Sequence, residues 1–264
     1  MMKGIKAVLV LLIAVHFMAP GLTCYAQPNI SKDNIPSDVP ANVREKIEGL
    51  YSLDPIKQAE AGAHLGLMGH RAVPAIPFLI GIFDDDTLLI EEPAGSFRLP
   101  GYHTEVPNTT PSSQAVKALI KIGKPAVGPL VASLRSEGWI IRAFAAAVLG
   151  KIEDPRVVKP LILALKDEDG VVRINATIAL GGIRDSRSVK PLIAALRDEQ
   201  WRVRMYAARS LGALVDTGAV DPLVDALNDK VPRVAAAAAE ALKRITGEDL
   251  GLDPEKWRRW REES

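Results

Sequence analysis

The chain has 264 residues and nearly balanced charge, 33 Lys and Arg against 32 Asp and Glu. A net charge of +1 gives no global pull towards nucleic acid or an anionic membrane. A single cysteine, Cys24, excludes a disulfide framework.

The N-terminus reads as a targeting segment. Lys3 and Lys6 form a basic start, 7–17 is mostly apolar, and Cys24-Tyr25-Ala26 is an acceptable small-x-small cleavage signal before Gln27. The apolar run is shorter than the roughly 20 residues of a membrane-spanning helix. Residues 1–26 are therefore expected to be a signal peptide, and the mature protein to be exported, periplasmic or secreted. A lipoprotein is the alternative, because Leu22-Thr23-Cys24 resembles a lipobox, although Thr23 is a poor residue before the cysteine. A retained membrane anchor is the third option. Cleavage after Ala26 removes Cys24 and with it any thiol chemistry, and leaves 31 basic against 32 acidic residues.

Residues 27–42 are rich in Pro, Asn, Ser and Asp and read as a flexible linker. Residues 43–51 form a short amphipathic segment, and Asp54-Pro55 opens a helix that ends near Met68-Gly69. The segment 72–79 begins a second helical pair. Pro77 and Pro129 are then 52 residues apart, so about twenty extra residues fall within 84–113. Insertions in repeat arrays map to loops on one face, often the binding face. Phe97 and Tyr102 in this insertion are expected to form an accessory lip.

From 123 to 246 one pattern is written four times. Asp154, Asp185 and Asp216 are each 31 residues from the next, as are Pro129, Pro160, Pro191 and Pro222. Leu149, Leu180, Leu211 and Leu242 keep the same step. A fixed period in this range is the mark of a solenoid. Each unit holds two apolar segments. In the second, Val172, Ala176, Ala179, Leu180 and Ile183 make the buried stripe of a helix. The expected fold is all-α, a solenoid over 43–250 of about six helix–turn–helix repeats. Residues 251–264 should add a capping helix, with Trp257 and Trp260 on one side over the end of the last unit.

The phrase Asp198-Glu-Gln-Trp-Arg-Val-Arg204-Met-Tyr-Ala-Ala-Arg-Ser-Leu-Gly212 resembles the second-helix signature of HEAT repeats. Its Val-Arg, Ala-Ala and Leu-Gly pairs look like the short repeats named for phycobilin lyases. The resemblance covers most of the mature chain and implies fold more than function, since such repeats serve scaffolds, lyases and hydroxylases alike. It implies that Arg142, Arg173 and Arg204 form a structural ladder with Asp167, Asp198 and Asp229, which keep the same step. It also implies that second helices line a concave side.

No enzyme constellation stands out. Beyond the leader there are three histidines, His64, His70 and His103, and none has a Glu beside it. The His-Glu pairs of the iron-dependent deoxyhypusine hydroxylases, which share the repeat, are therefore missing. No metal, cofactor or catalytic group is expected. On the second helices, the positions of Ile140, Val171, Arg202 and Arg233 vary from unit to unit. So do those of Phe144, Asn175, Tyr206 and Ala237, and of Ala147, Ile178, Arg209 and Glu240. Trp139 and Trp201 stand just before this variable face. Aromatic residues beside arginine are enriched at binding hot spots. The candidate partner-binding residues are Trp139, Phe144, Asn175, Trp201, Arg202, Tyr206, Arg209 and Arg233. The expected function is a monomeric, non-enzymatic scaffold for another protein or peptide. The alternative is a lyase or chaperone-lyase acting on a prosthetic group. Nucleic acid is not expected as a partner, and a membrane only through the leader or a lipid on Cys24.

Overall fold

The computed structural model describes residues 28–84 and 110–263. The expected signal peptide with Cys24, and Phe97 and Tyr102 of the insertion, lie outside the described residues. What is described is all-helical, and pairs of antiparallel helices stack in sequence order.

The first pair is α1 (Ala41–Gly49) and α2 (Pro55–Met68); the second is α3 (Ile76–Gly81) and α4 (Pro111–Ile122). Four regular pairs follow: α5 (Val127–Ser133) with α6 (Trp139–Ile152), and α7 (Val158–Ala164) with α8 (Gly170–Ile183). Then come α9 (Val189–Ala195) with α10 (Trp201–Leu214), and α11 (Val220–Ala226) with α12 (Pro232–Thr246). The chain closes on α13 (Pro254–Glu263).

The local chemistry explains the punctuation. Asp154, Asp185 and Asp216 each cap a single 3-10 turn that leads into the first helix of a unit. Their carboxylates accept the N–H of Arg156 (2.9 Å), Arg187 (2.9 Å) and Gly218 (2.8 Å). Pro160, Pro191 and Pro222 sit in the first turn of α7, α9 and α11, where an N–H has no helical partner to lose. The longer second helices α6, α8 and α10 end in the left-handed region on Glu153, Arg184 and Val215, at φ near 55°. Only the last of this row, α12, ends on the glycine that conformation favours, Gly247.

Second helices pack on second helices in an unbroken row, α2–α4–α6–α8–α10–α12, while each first helix packs mainly on its own partner. The row comes close because of small residues. A Cβ on Gly150 would lie 2.5 Å from the Cβ of Ala179, one on Gly181 would lie 2.4 Å from Ser210 Oγ, and one on Gly212 would lie 2.8 Å from the Cα of Ala241. The row also carries much of the core. Ala145, Ala176, Ala207 and Ala238 are buried within it, and so are Leu149, Leu180, Leu211 and Leu242.

Two boundaries differ from the sequence expectation. The 27–42 linker is not a free tether over its described part. Asn29 N–H donates to Gly81 O (3.2 Å), Tyr51 Oη donates to Ile30 O (2.5 Å), and Ile35 and Val39 are buried in the core. Its spaced apolar residues find a surface despite the polar composition. Residues 111–113, assigned above to the insertion, begin α4, because Thr110 Oγ1 accepts the N–H of Ser113 and Pro111 opens the first turn. At the other end α13 lies against α11. Trp257 is fully buried there, donates Nε1–H to Gly251 O (2.9 Å) and meets Trp260 edge to face at 6.0 Å.

Candidate binding surface on the second helices

Six of the sequence-predicted residues form the ladder. Arg173 donates Nε–H and Nη2–H to the two carboxylate oxygens of Asp198 at 2.8 and 3.0 Å, while Nη1–H reaches the carbonyls of Asp167 (2.9 Å) and Glu168 (3.1 Å). Arg142 repeats this with Asp167 and the carbonyls of Ser136 and Glu137, and Arg204 with Asp229 and the carbonyls of Asp198 and Glu199. Each aspartate also accepts, within its own turn, the N–H two residues on, at Asp169, Gln200 and Val231, the residues that precede the second helices. Every rung therefore ties the turn of one unit to the turn of the next. The bidentate bonds raise the affinity of all three guanidiniums for their protons, and the Arg204 fork holds the Asp229 carboxyl below the usual range. Buried Gln58 takes the arginine position in the first unit and donates Nε2–H to Leu50 O (2.7 Å).

The candidate partner-binding residues divide. Phe144 and Asn175 do not face solvent. Phe144 is 1 % exposed and stacks on Phe83 at 4.3 Å, and Asn175 is 4 % exposed with Nδ2–H donated to Val171 O (2.9 Å). In these two units the position is taken up by packing, Phe144 on Phe83 of the preceding unit and Asn175 on its own helix. Trp139 is half-buried against the core, and Ala147 beyond it on α6 is buried. Over α6 the variable face therefore shows solvent only part of Trp139 and Ile140.

It is open from α8 to α12. Ile178, Arg209 and Glu240 are exposed at equivalent positions on α8, α10 and α12, and Val171, Arg202 and Arg233 form a second, partly exposed row. Trp201 and Tyr206 are half-buried between them. The Arg202 guanidinium carbon stands 5.0 Å from the Trp201 ring centre, and that of Arg233, from the next unit, stands 5.8 Å from the same ring. Arg209 lies 5.6 Å from the Tyr206 ring. Cations over aromatic faces are held by the ring quadrupole. The pairing of Arg233 with Trp201 crosses between units and could have been sought in the sequence by setting copies side by side at the 31-residue step.

Among the described residues no group of three or more His, Cys, Asp or Glu is placed to hold a metal ion. No described helix is long and apolar enough to cross a membrane. Along the first helices, Val131, Leu134, Pro160 and Leu163 line a small cleft of about 260 Å³ between α5 and α7, edged by Arg135 and Lys159.

Comparison with known proteins agrees with this architecture. Residues 158–243 match the family model for HEAT repeats, and residues 141–167 match that for the PBS lyase HEAT-like repeat. No curated protein matches the chain. Among solved structures, the complex of CpcE and CpcF of phycocyanin lyase from Nostoc sp. PCC7120 is similar at 25 % identity and a TM-score of 0.51, over 64 % of this chain and 98 % of that one. Kap95p, in its complex with RanGDP, is similar at 15 % identity and a TM-score of 0.56, over 78 % of this chain and 31 % of that one, a likeness of fold alone. The chain is an α-solenoid of HEAT-like repeats, and its stretch 141–167 is similar to the PBS lyase type.

Proposed function

We propose that the array is a non-enzymatic scaffold that holds another protein or peptide along the open face of α8, α10 and α12. The observation that carries this reading is the cluster of Trp201, Arg202, Tyr206, Arg209 and Arg233, exposed or half-buried on an otherwise regular framework. Tryptophan, tyrosine and arginine are enriched among the few residues that carry most of the energy at protein interfaces. The framework itself is rigidified by the ladder, so little ordering cost falls on binding. The leader motif supports a site of action outside the cytoplasm, in the periplasm or secreted, with a lipid on Cys24 as the alternative. The test is capture from the soluble envelope fraction with tagged protein. One dominant companion at near-equal amount, lost when Arg202, Arg209 and Arg233 are changed together to Glu, supports the reading. Undiminished capture by that variant removes the face from consideration.

A second reading is an accessory role in attaching or removing a prosthetic group. The likeness to the phycocyanin lyase complex favours it. Mixing the purified protein with an open-chain tetrapyrrole tests it, and an unchanged absorbance spectrum rejects it.

A further inference from the structure

We infer that the open face recognises an acidic, extended polypeptide segment, a refinement that rests on the scaffold reading above. The contrast between two sets of arginines carries it. Arg142, Arg173 and Arg204 are buried and each is forked onto an aspartate of this chain. Arg202, Arg209 and Arg233 belong to the same helices or their neighbour, yet among the described residues they meet only aromatic rings. Glu240 is the carboxylate on this face, and Arg244 holds it at 3.1 Å. Three guanidiniums are thus gathered on two rings with no anion to neutralise them. Guanidinium is weakly hydrated and presents a planar fork that matches a carboxylate. The ring beneath each one limits its rotamers before any ligand arrives.

The spacing selects the form of the ligand. Arg202 and Arg209 are two turns apart on α10, about 10.5 Å along the helix axis. A segment in the extended polyproline II conformation advances about 9.3 Å per turn of three residues, so acids at positions i and i+3 lie on one side and meet both. Packed helices stand about 8–10 Å apart, so a segment running across the array also meets one helix every third residue. In that direction the row Ile178, Arg209, Glu240 reads apolar, cationic, anionic, and the row Val171, Arg202, Arg233 reads apolar, cationic, cationic. The segment that complements both carries apolar residues over α8 and carboxylates over α10. The anionic Glu240 at the α12 end and the balanced charge of the whole chain disfavour a uniform polyanion such as nucleic acid.

The test is fluorescence anisotropy on the folded protein with three labelled peptides, repeats of Glu-Ser-Ser, Gln-Ser-Ser and Lys-Ser-Ser, and a labelled single-stranded oligonucleotide. The Glu-Ser-Ser peptide is expected to bind, to weaken as salt is raised, and to be displaced by the unlabelled peptide. Changing Arg202, Arg209 and Arg233 to Glu should weaken it on the order of 100-fold, with the helical circular dichroism unchanged. Lysine at the same positions keeps the charge and loses the fork, and should weaken it roughly tenfold. Equal binding of Glu-Ser-Ser and Gln-Ser-Ser overturns the inference, as does a preference for the oligonucleotide or wild-type affinity in the Glu variant. The scaffold reading fails separately, if tagged protein captures no companion that depends on this face. A captured companion that no acidic peptide displaces would sink the acidic-segment inference and leave the scaffold standing.

Discussion

Replacing Arg173 by Leu removes the central rung of the ladder. The side chain is 8 % exposed and makes five hydrogen bonds, two to Asp198, two to the carbonyls of Asp167 and Glu168, and one to Glu199. The Glu199 contact is set aside, because that side chain is 82 % exposed and water replaces the bond. The Asp198 carboxylate is 12 % exposed and would retain the N–H of Gln200 as its remaining donor. Breaking a buried pair by removing one partner costs about 3–5 kcal/mol, since the other charge stays behind. The carboxylate keeps a sliver of solvent access and one donor, which sets the expectation at about 3 kcal/mol. The assay is urea unfolding followed by circular dichroism, with Arg173→Leu, Asp198→Leu and the double variant in one cycle. The double variant should recover more than about 1 kcal/mol relative to the sum of the singles, because neither partner is then left alone. In an array whose units contact only their neighbours the loss should be local. Hydrogen exchange should accelerate in α8 and α10 and change little in α2. A single-variant loss below about 1 kcal/mol, the range of an exposed ion pair, would refute the reasoning. So would simple additivity.

Other consequences can be checked in the same way. Val215 is β-branched and left-handed at φ 55°, so Val215→Gly should stabilise the array by about 0.5–1 kcal/mol once the freedom of glycine in the unfolded chain is deducted, seen as a higher Tm. Gly150→Val should lower the Tm sharply, because even a Cβ there would lie 2.7 Å from the backbone of Ala179, and overpacking of this kind costs about 1–3 kcal/mol or more. The side-chain fork and backbone N–H of Arg156 hold the Asp154 carboxyl down to about 2, and Arg187 does the same for Asp185, against an ordinary value of 3.8. Because both are depressed in the folded state, their stabilisation is full above about pH 4 and is lost as pH falls towards 2. Asp154→Asn should flatten the acid limb of a stability–pH curve. Trp257→Ala empties the largest buried site under α13 and should cost about 3–5 kcal/mol, with exchange accelerating first in α11 and α12.

What could be read from the sequence was whatever the repeat wrote more than once. The paired helices, the ladder and the capping aspartates all recur at 31 residues, and repetition separates them from chance. What appears once was harder. Variation among Phe144, Asn175, Tyr206 and Ala237 suggested a free surface, but variation also arises where each unit packs on a different neighbour. Phe144 fits Phe83 from a short turn, and Asn175 is buried by satisfying its amide on its own helix. The segment before α1 has the composition of a tether, yet Ile35 and Val39 suffice to fasten it. The left-handed ends at Glu153, Arg184 and Val215 lack the glycine that would have announced them. The Leu-Gly pairs were visible, although their role in letting the second helices approach depends on which residue stands opposite. The surface cluster was named residue by residue, but the arrangement of two arginines about Trp201 joins two units and required their relative placement.

The central claim is that the α8–α12 face holds a partner through Arg202, Arg209 and Arg233. The most direct measurement is paired affinity capture from the soluble envelope fraction, wild type against the triple Glu variant, with quantitative mass spectrometry. The account predicts one companion at near-equal amount with wild type, its near-complete loss with the variant, and equal yield of folded bait. Recovery of the same companion by both proteins, or of the bare chain from wild type, would contradict it.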